Sequence, residues 1–123
     1  MKAKDALGRR GEEIAAAYLV TAGFRVLARN WRCPVGEIDI VAHEGPTLVV
    51  VEVKTRTTDA FGHPFEAVTP AKLRRLHLLA AAWQAAHPAE AGRMRPRDVR
   101  VDVVGILCPA SGEPTVEHLR AVS

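Results

Sequence analysis

Two runs of apolar, largely β-branched residues, Glu37–Ala42 (EIDIVA) and Leu48–Thr55 (LVVVEVKT), stand on either side of His43-Glu44-Gly45-Pro46-Thr47. Strong strand formers flanking a Gly-Pro turn predict a β-hairpin from Gly36 to Arg56. A turn centred on Gly45-Pro46 sets Val41 against Val50, and counting outward sets Asp39 against Glu52 and Glu37 against Lys54. Side chains alternate along a strand, so Glu37, Asp39, Glu52 and Lys54 then share one face, and Ile38, Ile40, Val49, Val51 and Val53 share the other. The second face is apolar throughout. The first is apolar near the turn and charged at its far end.

Directly opposed side chains in such a ladder have Cβ atoms roughly 4.5–5.5 Å apart, and like charges there are destabilising. Asp39 facing Glu52 is therefore a cost that a cation would offset. Mg²⁺ suits the position, because it takes carboxylate oxygens at about 2.0–2.1 Å and keeps the rest of its shell for water and substrate phosphate. Lys54, two residues beyond Glu52 on the same face, would stand beside it and orient an attacking water or hold a phosphate oxygen. The alternative is a solvated sheet end carrying a Glu37–Lys54 cross-strand ion pair. Spacing alone leaves both open.

Upstream, Leu7, Ile14, Ala15, Tyr18 and Leu19 recur at spacings of three and four, which predicts a helix from Asp5 to about Ala22 with Gly23 ending it. On a helical wheel Glu12 falls at the margin of the apolar face and Glu13 points away from it. Phe24 to Arg32 reads as the first strand, with Phe24, Val26 and Ala28 on one face and Arg25, Leu27 and Arg29 on the other. Followed by the hairpin, it makes a three-stranded antiparallel meander. Arg25, Arg29 and Arg32 form a basic cluster around Trp31, which could stack on an unpaired base or cover the edge of a core.

Downstream, residues 57–64 read as a loop that contains His63, a residue that could meet a phosphate or be merely solvated. Glu66 either caps the next helix or supports the charged end of the hairpin. Thr69-Pro70 starts a helix, with Thr69 as N-cap and Pro70 at N1, and Pro88 stops it near His87. Leu73, Leu76, Ala80 and Trp83 form its apolar stripe. Lys72, Arg74 and Arg75 crowd its first turns, where cations oppose the helix dipole and a bound phosphate would relieve the cost. Residues 89–98 read as a basic loop. Val99 to Leu107 is a strongly apolar strand interrupted by Asp102, and reaching it from the hairpin through a helix makes a βαβ crossover. The tail offers one short strand, Thr115–Leu119.

With 123 residues the chain has room for one substantial core, so one domain spanning 1–123 is expected, with 1–4 and 109–123 loosely ordered. The net charge of +3 permits a polyanionic partner without requiring one. Cys33 and Cys108 belong to no CxxC pair, so neither a zinc site nor a disulfide framework is indicated. No apolar run reaches membrane-spanning length and no signal core opens the chain, so a cytoplasmic protein without a membrane partner is expected.

An Asp, twelve intervening residues and Glu-x-Lys on an apolar strand resemble the PD-(D/E)xK signature of restriction-endonuclease-like nucleases. The wider text is more specific. GEE with a following YL, then RNWR, GEIDIV, VVVEVKTR, FGHPFEAV and VDVVGI look like the YraN-like family of small bacterial proteins, related to archaeal Holliday-junction resolvases. The likeness runs from about Gly8 to Ile106. It implies an α/β fold with an αβββαβ core, a mixed sheet with helices packed on it, which is also the order of elements read above.

The resemblance further implies a metal-dependent phosphodiesterase acting on DNA, with branched or repair intermediates as candidate substrates. Asp39, Glu52 and Glu12 would hold Mg²⁺ or Mn²⁺, and Lys54 would complete the catalytic set. Arg29, Trp31, Arg32, Arg56, Lys72 and Arg75 would track nucleic acid, and Glu37, Glu66 and Asp102 would support the site. Related enzymes work as symmetric dimers, so a homodimer is a candidate assembly. The competing reading is a binding module of the same fold that recruits repair partners without turnover.

Overall fold

A computed structural model of the chain describes residues 6–58, 66, 68–92 and 99–122. His63 lies outside the described residues, as do residues 1–4 and most of the expected basic loop. The hairpin forms as predicted: β2 (Gly36–Glu44) and β3 (Thr47–Arg56) pair antiparallel with Val41 opposite Val50. Before them come α1 (Ala6–Thr21) and β1 (Arg25–Cys33). After them come α2 (Pro70–Ala86), the single turn α3 (Pro88–Ala91), β4 (Val99–Leu107) and β5 (Thr115–Leu119). The sheet order is β1-β2-β3-β4-β5, antiparallel except for the parallel β3–β4 pair that the crossover through α2 requires. The αβββαβ order and the mixed α/β sheet are thus those expected, with a fifth strand added at the β4 edge.

The helices cover opposite faces. α1 packs Ala15 and Leu19 onto Ile40, Ala42, Val49, Val51, Val104 and Ile106. α2 packs Leu76, Leu79, Ala80 and Trp83 onto Val41, Leu48, Val50 and Val101. Gly23, at φ +98°, closes α1 with Phe24 N–H donating to Leu19 C=O and its own N–H to Val20 C=O. Thr69 caps α2 by accepting the Lys72 N–H on Oγ1 at 3.1 Å. That function had been one option for Glu66, which is exposed. Pro88 stops α2 and then opens the short α3, where a loop had been expected.

Two side chains depart from strict alternation. Ala28 packs with the α2 cluster because β1 shifts register between Val26 and Ala28, which brings Leu27 and Ala28 to the same side. Ile38 was expected beside Ile40 but also packs with the α2 cluster. The switch coincides with Asn30, which takes the left-handed conformation (φ 53°) opposite Asp39, between the Arg29–Ile40 and Trp31–Ile38 pairs.

The tail is ordered rather than loose. β5 pairs along β4 from Leu107–Thr115 to Val103–Leu119, and the Val122 N–H donates to Val101 C=O. Asp102, fully buried on the α1 side, is the knot that holds it. Its carboxylate accepts from Arg100 Nε and Nη2 (2.9 and 3.0 Å), from the Ala121 N–H (2.9 Å) and from His118 Nε2 (2.7 Å). The other His118 nitrogen, Nδ1, meets the Tyr18 hydroxyl at 2.9 Å, tying α1 to the same centre. Burial pushes the Asp102 carboxyl up, but the hydrogen bonds from Arg100, Ala121 and His118 outweigh it and hold the group below the ordinary carboxylate range. Glu44 is likewise lowered. Its desolvation is overcome by Arg100 and Arg120, both of which bond its Oε1.

Two predictions follow from this packing. A Cβ on Gly11 would lie 1.9 Å from Thr55 Oγ1 and 2.8 Å from Thr55 Cβ, so α1 sits on β3 only because residue 11 has no side chain. Gly11→Ala gains about 1 kcal/mol of helix propensity, yet overpacking costs about 1–3 kcal/mol. Urea unfolding is expected to show net destabilisation, partly recovered when Thr55→Ala is added. Because the folded Asp102 pKa is depressed, its stabilisation is present above the unfolded value of about 3.9 and is lost as pH falls below it. Asp102→Asn should cost about 3 kcal/mol at pH 7. In paired urea melts the gap between wild type and variant should narrow toward pH 3.

Candidate active site at the fork of the sheet

The β2–β3 ladder runs from Glu44–Thr47 to Ile40–Val51 and ends there. Beyond it, β2 stays with β1 through Trp31–Ile38, Arg32–Glu37 and Cys33–Gly36, whereas β3 continues along β4 to Arg56–Leu107. The sheet therefore forks at the Asp39–Glu52 step. The Val53 N–H, just past the end of the ladder, donates to Asp39 Oδ2 at 2.9 Å. A side-chain carboxylate thus satisfies a backbone donor in the fork.

Asp39 and Glu52 are only 8% and 6% exposed, and both line a cleft of about 200 Å³. One wall of this cleft is the β1–β2 turn with Val35, Gly36 and Glu37, and the other is α2 with Lys72, Arg75, Leu76 and Leu79. Glu52 Oε2 is shared by two ammonium groups, Lys72 Nζ at 3.1 Å and Lys54 Nζ at 3.3 Å. Two positive charges on one recessed oxygen, together with the Val53 N–H on Asp39, offset the repulsion between the two carboxylates. The Glu37–Lys54 ion pair considered above is not what forms. Glu37 Oε2 accepts from Arg32 Nε at 3.3 Å across the β1–β2 pair, and Lys54 turns to Glu52.

The expected site residues thus divide. Asp39, Glu52 and Lys54 come together, and Lys72 and Arg75 join them from α2. Glu12 is buried at 3% while Glu13 is exposed, as the helical wheel places them. However, α1 covers the face opposite α2, and Glu12 does not line the cleft. Asp102 also belongs to the α1 side and its oxygens are taken up by the knot at β5, which makes it structural. Trp31 is half-buried against the α2 cluster and meets His87 edge-on at 6.1 Å, so it covers a core edge. Arg29 and Arg32 are exposed on β1, and Arg56 is half-buried at the end of β3.

Reading the sequence missed two features: the ion pair that α2 makes with Glu52, and the contribution of Val35 and Gly36 to the cleft wall. The only signal for the first was the crowding of cations in the opening turns of α2.

Among the described residues no group of three or more His, Cys, Asp or Glu is placed to hold a metal. What the cleft does present is a pair of hard oxygen donors, and this matches the sparse protein ligation of Mg²⁺, which takes one or two carboxylates and completes its shell with water and phosphate. Cys33 and Cys108 are free thiols. No helix among the described residues is long and apolar enough to cross a membrane.

A search of solved structures returns Pyrococcus furiosus SfsA in complex with Ca²⁺, at 14% identity and a TM-score of 0.42, covering 93% of this chain and 62% of that one. Similarity in sequence is much closer. A protein of Arthrobacter sp. is 60% identical over 122 residues, covering 99% of both chains. One of Beutenbergia cavernae is 56% identical over 122 residues with the same coverage, and one of Streptomyces griseus is 51% identical over 123 residues, covering both chains in full. Each is named only as a UPF0102 protein. Residues 11–106, which include the hairpin, the fork and all of β4 but its last residue, match the family described as uncharacterised protein family UPF0102, and the chain belongs to that family.

Proposed function

We propose that this protein is a metal-dependent phosphodiesterase that hydrolyses nucleic acid, with DNA as its substrate. The observation that carries the reading is the pairing of Asp39 and Glu52 in one recessed cleft, with Lys54 Nζ 3.3 Å from Glu52 Oε2. Two carboxylates recessed in one cleft offer hard oxygen ligands to a cation, beside a basic α2 wall that can take a phosphate.

The Asp39 and Glu52 carboxylates would hold a Mg²⁺ or Mn²⁺ ion. When bound, the ion lowers the pKa of a coordinated water and neutralises charge that grows on the phosphoryl oxygens. The chain's own groups supply the rest. The Val53 N–H fixes the orientation of the Asp39 carboxylate through Oδ2. Lys54 Nζ orients the water whose oxygen forms the new bond to phosphorus. That water gives up one proton, and the departing ester oxygen takes one up to leave as an alcohol. Lys72 and Arg75 stand on the α2 wall, where they would receive the non-bridging oxygens of the phosphate. Arg32 on β1 and Arg56 at the end of β3 would extend the positive surface for the rest of the strand, whereas Arg29, paired with Ile40, stands on the α1 side.

One observation favours a second reading. Glu52 Oε2 already carries two ammonium partners, so the site is charge-balanced by its own lysines, as a binding module without turnover would be. The two readings part on cleavage. With labelled single-stranded, duplex, flapped and four-way-junction DNA and Mg²⁺ or Mn²⁺, the enzyme reading expects metal-dependent nicking that falls about 100-fold or more in Glu52→Gln and in Lys54→Ala. Binding without metal, steep weakening with salt and no cut on any substrate would replace it with the binding module.

A further inference from the structure

Glu52 is more heavily neutralised than one carboxylate requires. Its Oε2 meets Lys54 Nζ at 3.3 Å and Lys72 Nζ at 3.1 Å. Lys54 stands on β3, the strand that carries Glu52, whereas Lys72 reaches over from α2. The second ammonium brings two like charges onto one oxygen, at a cost in mutual repulsion and in the rotamer freedom of a long side chain. Lys72 also occupies the first turn of α2, where the helix dipole disfavours a cation and where its own N–H donates to Thr69 Oγ1. A structural ion pair would need only Lys54.

Charge sets what this arrangement can accept. The carboxylates lining the cleft are Glu37, Asp39 and Glu52, and they are met by Lys72 and Arg75 on α2, by Lys54 on Glu52 and by Arg32 on Glu37. The cations already outnumber the acids. A divalent ion added to this set would leave a strongly positive cleft, unless an ammonium left Glu52 or an anion came with the ion. One movement of Lys72 serves both needs. Its side chain is 33% exposed on a flexible stem, and off Glu52 its ammonium stays on the wall that Arg75 shares, free to take a phosphate oxygen.

We propose that Lys72 is a resident counter-ion that keeps the place of a divalent cation at Glu52 and passes to the phosphate when that cation binds. Metal and phosphodiester then reinforce each other's binding, because the exchange that admits one supplies a ligand to the other. The inference rests on the phosphodiesterase reading for the identity of the two ligands, but the exchange is a binding property that can be measured without cleavage.

The test reads Mn²⁺ binding to the full chain without DNA, from the electron paramagnetic resonance signal of the free ion. Lys72→Met is expected to bind Mn²⁺ about tenfold tighter than wild type. Arg75→Met, which removes a charge from the same wall but no ion pair of Glu52, should gain less than about threefold, and Glu52→Gln should lose the site. Methionine keeps the apolar stem of either side chain, and the thermal transition checks the fold of each variant. Anisotropy of labelled flapped DNA then separates the two states of Lys72. In EDTA, Lys72→Met should bind it within about twofold of wild type, and in Ca²⁺ it should lose about fivefold, whereas Arg75→Met should lose affinity in both. Equal Mn²⁺ gains in Lys72→Met and Arg75→Met, equal DNA losses of Lys72→Met in EDTA and Ca²⁺, or no binding of Mn²⁺ or of DNA would each overturn the inference. The expected exchange without cleavage in Mn²⁺ leaves the role of Lys72 standing and removes the phosphodiesterase. Cleavage by wild type, with Mn²⁺ affinity unaltered in Lys72→Met, does the reverse.

Discussion

Everything around the cleft depends on where the β2–β3 ladder stops. A sheet whose strands stayed paired to their ends would bury its hydrogen-bonding groups in each other and leave no opening between Asp39 and Glu52. Here the Asp39 carboxylate accepts the Val53 N–H, so the two strands can part without leaving that donor unsatisfied. β1 keeps one branch in register and β4 keeps the other, so each half of the fork has a partner on its outer side. The opening is rigid because both branches are parts of larger pairings. Rigid support is what a site needs if its carboxylates are to stay close together against their own repulsion.

The two faces of the sheet treat buried carboxylate in opposite ways. On the α1 side, Asp102 is surrounded by Arg100, His118 and the Ala121 N–H, and its oxygens have no capacity left for a ligand. Such a group fixes architecture. On the α2 side, Glu52 has both lysines on one oxygen, and Asp39 has a backbone donor on one of its own. The lysines reach Glu52 from different elements, Lys54 along the same strand and Lys72 from α2. Long flexible stems let each ammonium move away when another cation or an anion arrives. The same residue types therefore make a fixed knot on one face and an adjustable balance on the other.

The hairpin, its Val41–Val50 centre and the joining of Asp39, Glu52 and Lys54 were legible in the sequence. A period-two pattern around a Gly-Pro turn fixes register, and register fixes which side chains are neighbours. The αβββαβ order followed from helical spacing at Leu7–Leu19 and from the Thr69-Pro70 start. Ile38 and Ala28 were misplaced because an irregularity in a strand leaves almost no local mark, and the only hint was an Asn, which tolerates the left-handed conformation at residue 30. Glu12 was placed correctly as the buried acid of its helix, beside an exposed Glu13. A helical wheel gives the buried side of a helix but says nothing of which side of the sheet that helix covers. Lys72 and Val35 were missed as cleft partners because they meet Asp39 and Glu52 only through the packing of α2 on the β1–β2 turn.

Tyr18 and His118 stand one hundred positions apart along the chain. A ribosome releases the first of these long before the second, so α1 and the first three strands emerge with one of their polar anchors still unmade. Closing so long a loop is slow and entropically costly, and contacts of this range set the pace of assembly. Until β5 arrives, Asp102 has Arg100 from its own strand but neither His118 nor the Ala121 N–H, and full burial of the carboxylate at that stage would be penalised. The core on the α1 side is therefore complete only when β5 is in place beside β4.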